Sequence, residues 1–168
     1  MAVIPVGPRS TNVQTGEQVS FSRGTGPLYF VDTNVLVYAR DASEPEKQQA
    51  AEAWLRRLWA DHTGRASAQV LNEYYVVVTE KLKPGLDRDQ ARADVRNLMS
   101  WRPVPLDHAV TEGAWDIQDR YGLSWWDSLV VSAAQVAGCA CLLTEDLQHE
   151  RLFDGVRAID PFRTAPSS

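Results

Sequence analysis

From Leu28 to Ile159 the chain alternates short apolar runs with longer segments of helical period, and this alternation restricts the fold more than any other feature. Leu28-Tyr29-Phe30-Val31 is apolar at consecutive residues, so a strand built from it must be covered on both faces. Cys139 to Leu143 and Val156 to Ile159 read the same way. A helix is expected from Pro45 to Ala60, where Ala50, Ala51, Trp54, Leu55 and Leu58 recur at helical spacing. Arg65-Ala66-Ser67 reads as a very short strand. Ser67 then suits the N-cap of a helix carrying Val70, Leu71, Tyr74, Val78 and Leu82, which Pro84-Gly85 ends. Asp87 to Gln90 resembles a capping box ahead of Ala91, Val95, Leu98 and Met99. A strand is expected at Arg102 to Leu106. Asp107 and Ser124 suit the caps of two further helices, which stop at Gly122 and Gly138. Strands that alternate with helices imply an α/β fold: a parallel sheet with helices on both faces.

The chain has 168 residues, the size of one domain. Met1 to Pro27 are rich in Gly, Pro, Ser, Thr, Asn and Gln without sustained periodicity, so residues 1–27 are expected to be a flexible extension. The folded domain is expected over 28–162, followed by a flexible tail at 163–168. No apolar run approaches the roughly 18 residues that span a bilayer, and Met1 to Gly7 are too short and proline-broken for a signal-peptide core. The expected location is the cytoplasm. Cys139 and Cys141 lack the second ligand pair of a zinc site and read as buried thiols. His62, His108 and His149 read as surface or capping residues.

In parallel sheets the working edge lies where the strands' carboxyl ends meet. Asp32 directly follows the first strand and Asp146 closely follows Cys139–Leu143, so both fall on that edge. Glu73 comes near it if its helix follows a short strand. Asp127 occupies the first turn of the Ser124-capped helix, where the dipole favours an anion; its edge is open, because that helix follows another helix. Singly, each acid has an ordinary explanation as a cap, a dipole partner or a solvated side chain. Together they are harder to dismiss. Asp32 and Asp127 sit inside core-forming runs, and no lysine or arginine stands beside Asp32, Glu73 or Asp127 in sequence. Two carboxylates about 5 Å apart repel by about 3 kcal/mol at an effective dielectric near 20. A hard divalent cation bound by oxygen, Mg²⁺ or Mn²⁺, would hold such a group together without His or Cys. With a net charge of −5, any hold on nucleic acid needs local basic groups or a bound cation to offset the acidic field.

Four segments resemble the motifs of PIN domains, in order and at suitable separations. They are Phe30-Val31-Asp32-Thr33-Asn34-Val35-Leu36, Ser67-Ala68-Gln69-Val70-Leu71-Asn72-Glu73-Tyr74, Trp126-Asp127-Ser128-Leu129-Val130 and Leu142-Leu143-Thr144-Glu145-Asp146-Leu147. The resemblance implies a three-layer α/β/α fold with a parallel sheet of about five strands, and a Mg²⁺- or Mn²⁺-dependent endoribonuclease. It implies Asp32 and Asp127 as the main metal ligands. Glu73 and Asp146 complete the acidic site, with Glu73 also positioning or deprotonating water. Asn34 and Thr144 orient the ligands. Size and Tyr38-Ala39-Arg40-Asp41 are most similar to VapC toxins, which implies a homodimer silenced by an antitoxin protein. Arg40 is a candidate contact to RNA phosphate. Trp125 and Trp126 are expected to serve packing rather than base stacking. The competing readings are a non-catalytic RNA- or protein-binding module and a DNA- or flap-directed nuclease.

Overall fold

The computed structural model describes residues 26–166, so the extension expected at 1–27 lies outside the described residues except for its last two. The chain order is β1 (Tyr29–Val31), α1 (Thr33–Tyr38), α2 (Pro45–Asp61), β2 (Gly64–Arg65), α3 (Ala68–Val76), α4 (Arg88–Leu98), α5 (His108–Tyr121), α6 (Trp125–Val136), β3 (Cys141–Leu143), β4 (Leu152–Phe153) and β5 (Val156–Ile159). The five strands lie in the order β2-β1-β3-β5-β4. All neighbours are parallel except β4, which runs antiparallel to β5.

Local chemistry sets most boundaries. Ser67, Asp87, Asp107 and Ser124 each accept a backbone N–H three residues on, as expected of N-caps, and Asp87 with Gln90 completes the capping box. Gly122 takes the left-handed conformation that ends α5, at φ 66°. Beyond α3 the chain widens into a π-helical turn, Val77–Lys81. After α4 it tightens into a 3₁₀ turn, Met99–Trp101, which leaves Met99 exposed rather than on the buried face expected for it.

Three further departures have physical causes. The strand expected at Arg102 to Leu106 is reduced to one bridge, Ser67 to Val104. Val104 exchanges backbone bonds with Ala66 (3.0 Å) and Ala68 (2.8 Å), and the left-handed conformation of Arg102, at φ 53°, interrupts the extended chain just before it. The chain at Thr33–Tyr38 forms α1, a helix the sequence reading did not anticipate, because its apolar run looks like a continued strand. β4 was also unanticipated. Its turn residues Asp154 and Gly155 carry positive φ of 45° and 98°, the conformation of a two-residue hairpin for which Asp-Gly is a strong signal. The expected tail is partly anchored: Trp54 Nε1 donates to the Thr164 carbonyl at 2.8 Å.

The core lies between the sheet and its helical layers. Phe30, Val31, Leu142, Leu143 and Ala158 on the strands are buried, with Leu36, Leu55, Leu58, Tyr74 and Leu129 from the helices. β2 is a tight point. A Cβ placed on Gly64 would fall 2.5 Å from the Trp101 ring, which itself packs 4.9 Å (centroid to centroid) from Trp59. Trp101 is buried and cannot swing away. Gly64→Ala is therefore expected to destabilise the protein by about 1–3 kcal/mol through overpacking, read as a lowered urea midpoint at unchanged slope.

Candidate active site

The site begins with strand register. β1 and β3 pair in parallel with Val31 opposite Leu143, and the Asp32 N–H continues the ladder to the Leu143 carbonyl at 3.0 Å. The next residue of each chain, Asp32 and Thr144, therefore emerge side by side at the carboxyl edge. β2 lies on one side of this pair and β5 on the other, so this is the point where strand order reverses and a crevice opens.

A hydrogen-bond network surrounds Asp32. Its Oδ1 accepts from the Thr33 N–H at 2.7 Å, capping α1, and its Oδ2 accepts from Thr144 Oγ1 at 2.8 Å. Thr144 Oγ1 in turn accepts from the Asp146 N–H at 3.1 Å. Asn34 Nδ2 donates to Asp146 Oδ2 at 2.9 Å and lies 3.4 Å from Thr144 Oγ1. Thr33 Oγ1 donates to Glu73 Oε2 at 3.0 Å, and Gln69 Nε2 donates to Glu73 Oε1 at 3.0 Å. Thr33, Asn34 and Thr144 thus tie Asp32, Glu73 and Asp146 into one cluster. Glu73 reaches it because β2, though only two residues long, starts α3 beside α1.

Asp127 stands apart. α6 packs on β3 and β5 and ends just before β3 begins, so its first turn points back toward the carboxyl edge. There Asp127 Oδ2 accepts from Ser124 Oγ at 2.6 Å, and no hydrogen bond links it to the other three acids among the described residues. Each carboxylate is turned onto its own donor, and no three His, Cys, Asp or Glu side chains among the described residues are grouped to hold a metal ion.

The electrostatics of the cluster centre on Asp32. Burial pushes the Asp32 carboxyl up to about 7; bonds from Thr144 and Thr33 oppose this, while the charges of Asp146 and Glu73 add to it. None of the four acids has an ion-pair partner among the described residues. The buried Asn34 Oδ1 has no donor either. The site therefore holds more oxygen acceptors than protons to satisfy them. That surplus, composed of oxygen alone, fits a hard divalent cation such as Mg²⁺ or Mn²⁺.

Arg40 is paired with Asp94. Its guanidinium donates to Asp94 Oδ2 at 2.8 Å and also to Asp94 Oδ1, and Asp94 further accepts from the Tyr74 hydroxyl at 2.5 Å. With side-chain exposures of 10% and 1%, Arg40 and Asp94 form a buried pair that joins the end of α1 to α3 and α4. The guanidinium expected to meet RNA phosphate is thus engaged by Asp94 in this structure. Trp125 packs partly against the core, whereas Trp126 is exposed. The sequence reading missed Thr33 and Gln69. Both were findable: Thr33 follows the strand-end acid, and Gln69 sits four residues before Glu73 on one helix face.

The PIN domain family model matches residues 29–153. Solved structures that share the fold include the following two. One is a toxin–antitoxin complex from Klebsiella pneumoniae, with 20% identity and a TM-score of 0.57 over 79% of this chain and 97% of that one. The other is VapC20 of Mycobacterium tuberculosis, a Sarcin-Ricin loop cleaving toxin, with 20% identity and a TM-score of 0.53 over 70% of this chain and 89% of that one. No curated protein matches the sequence.

The raised Asp32 pKa has a consequence for stability. Between its unfolded value near 3.8 and its folded value of about 7, the folded state holds a proton that the unfolded state releases. Stability from this group is therefore lost as pH rises through that window. Asn at position 32 keeps the cap and cannot titrate. In metal-free buffer at pH 8, Asp32→Asn is expected to be more stable than wild type by on the order of 2–4 kcal/mol. The gap should close as pH falls toward 4, as followed by urea unfolding; a gap independent of pH would contradict the burial of a charged carboxylate.

Proposed function

The chain belongs to the PIN domain family, and on that premise we propose that it is a Mg²⁺- or Mn²⁺-dependent endoribonuclease, a VapC-like toxin that hydrolyses phosphodiester bonds in RNA. The observation that carries this reading is the buried Asp32 carboxylate, unpaired by any cation among the described residues and bonded into a cluster with Glu73 and Asp146 at the strand-order reversal. Asp32 and Asp127 are the proposed metal ligands. A bound Mg²⁺ or Mn²⁺ supplies Lewis-acid chemistry, activating a water and neutralising phosphate charge. Glu73, held at both oxygens by Thr33 and Gln69, orients that water and accepts its proton. Asp146 completes the acidic wall. Asn34 and Thr144 keep Asp146 and Asp32 from rotating away.

The partners follow from the same reading. An antitoxin protein is the proposed regulator, supported by the likeness to a toxin–antitoxin complex. A homodimer in the cytoplasm is the proposed setting. No helix among the described residues is long and apolar enough to cross a membrane. A second reading, a non-catalytic RNA- or protein-binding PIN module, draws on the separation of Asp127 from the other acids. Calorimetry with Mn²⁺ separates the two, since such a module gives no binding that depends on Asp32. Comparison of single-stranded RNA with flap DNA as substrate tests the remaining alternative, a DNA-directed nuclease.

Asp32→Asn and Asp127→Asn are expected to abolish RNA cleavage while far-ultraviolet circular dichroism stays unchanged. Glu73→Gln should lose about 100-fold or more in kcat. Cleavage by purified Asp127→Asn at the wild-type rate would remove Asp127 from the site.

A further inference from the structure

Lys47 stands beside the acidic edge and has no role in the reading above. It lies in the first turn of α2, and its Nζ donates to Glu145 Oε2 at 2.6 Å and to the Tyr38 hydroxyl at 3.0 Å. The same ammonium sits 4.3 Å from the Tyr38 ring centroid and 5.2 Å from that of Phe162. Those two rings meet edge to face at 5.1 Å. Side-chain exposures of 33% for Lys47 and 24% for Glu145 place the pair in partial shelter, where screening by solvent is reduced. Four parts of the molecule converge on one cation: α1 through Tyr38, α2 through Lys47, the segment after β3 through Glu145, and the C-terminal segment through Phe162.

Glu145 and Asp146 are consecutive acids after the same strand, and either carries the chemistry to face the crevice. They are held by different donors. Asp146 is drawn inward by Asn34 on its carboxylate and by the Thr144 hydroxyl on its N–H. Glu145 is held instead by Lys47. We propose that Lys47 is a positioning residue: by holding Glu145 it fixes the segment from Thr144 to Asp146, so that Asp146 and not Glu145 is the carboxylate presented beside Asp32. This rests on the metal-site reading given above.

Charge and position act in opposite directions here, which makes the inference testable. Loss of Lys47 alone makes the surroundings more negative and, by Coulomb attraction, favours a cation. Loss of positioning disfavours it. The double variant Lys47→Met with Glu145→Gln removes one charge of each sign and isolates position. Titration calorimetry of the full-length, metal-free protein with Mn²⁺ is the measurement, and thermal melting without Mn²⁺ checks that each variant is folded. The double variant is expected to bind Mn²⁺ about tenfold more weakly than wild type, at the low end for residues that orient metal ligands. Lys47→Arg, which restores the cation, is expected to stay within about twofold. Wild-type affinity in the folded double variant, or an equal loss in Lys47→Arg, overturns the inference while wild-type binding that Asp32→Asn removes leaves the metal site standing. Absence of such binding in wild type overturns both.

Discussion

The parallel pairing of β1 with β3 is the constraint on which the rest depends. Val31 opposite Leu143 puts Asp32 opposite Thr144, and the ladder continues one bond further into the site through the Asp32 N–H. A one-residue slip would turn Asp32 to the other face of the sheet and bring a buried apolar side chain to the edge. The register is secured by burial on both faces, since Phe30, Val31, Leu142 and Leu143 are all inaccessible to solvent. The geometry of the acidic cluster and the packing of the core are therefore one specification.

The polar side chains around Asp32 are few and each is used more than once. Thr144 donates to one carboxylate and accepts from the backbone of another acid. Thr33 donates its N–H to the capping carboxylate of Asp32 and reaches Glu73 through its hydroxyl. Their short side chains lose little rotamer freedom when fixed. The positive side chains of the region are held elsewhere: Arg40 under α4 by Asp94, and Lys47 at the flank by Glu145. The interior of the cluster keeps its negative field as a result, which is the field a divalent ion requires.

The sequence carries the framework well, because it is written in local chemistry. Ser67, Asp87, Asp107 and Ser124 announce their helices by side-chain bonds three residues away, and β1 and β3 announce themselves by uninterrupted apolar character. What escaped was either masked locally or settled at long range. Val35 to Tyr38 satisfy a buried strand and a short buried helix equally well; the Asp32 cap decides the matter. The fate of Arg40 depends on Asp94, 54 residues away, a pairing that no local pattern encodes. Asp127 belongs to the same edge by helix direction, yet its side chain is bonded to its own cap, and sequence spacing does not separate those two facts.

The two prolines that flank the single bridge at Val104 have a wider effect. They close one border of the sheet, since Pro103 and Pro105 offer no N–H to an approaching chain. At the other border, β4 is only two residues long and folds straight back on β5. Neither border presents a long strand edge among the described residues. A second polypeptide approaching either border meets little free backbone to pair with, so side chains govern the encounter.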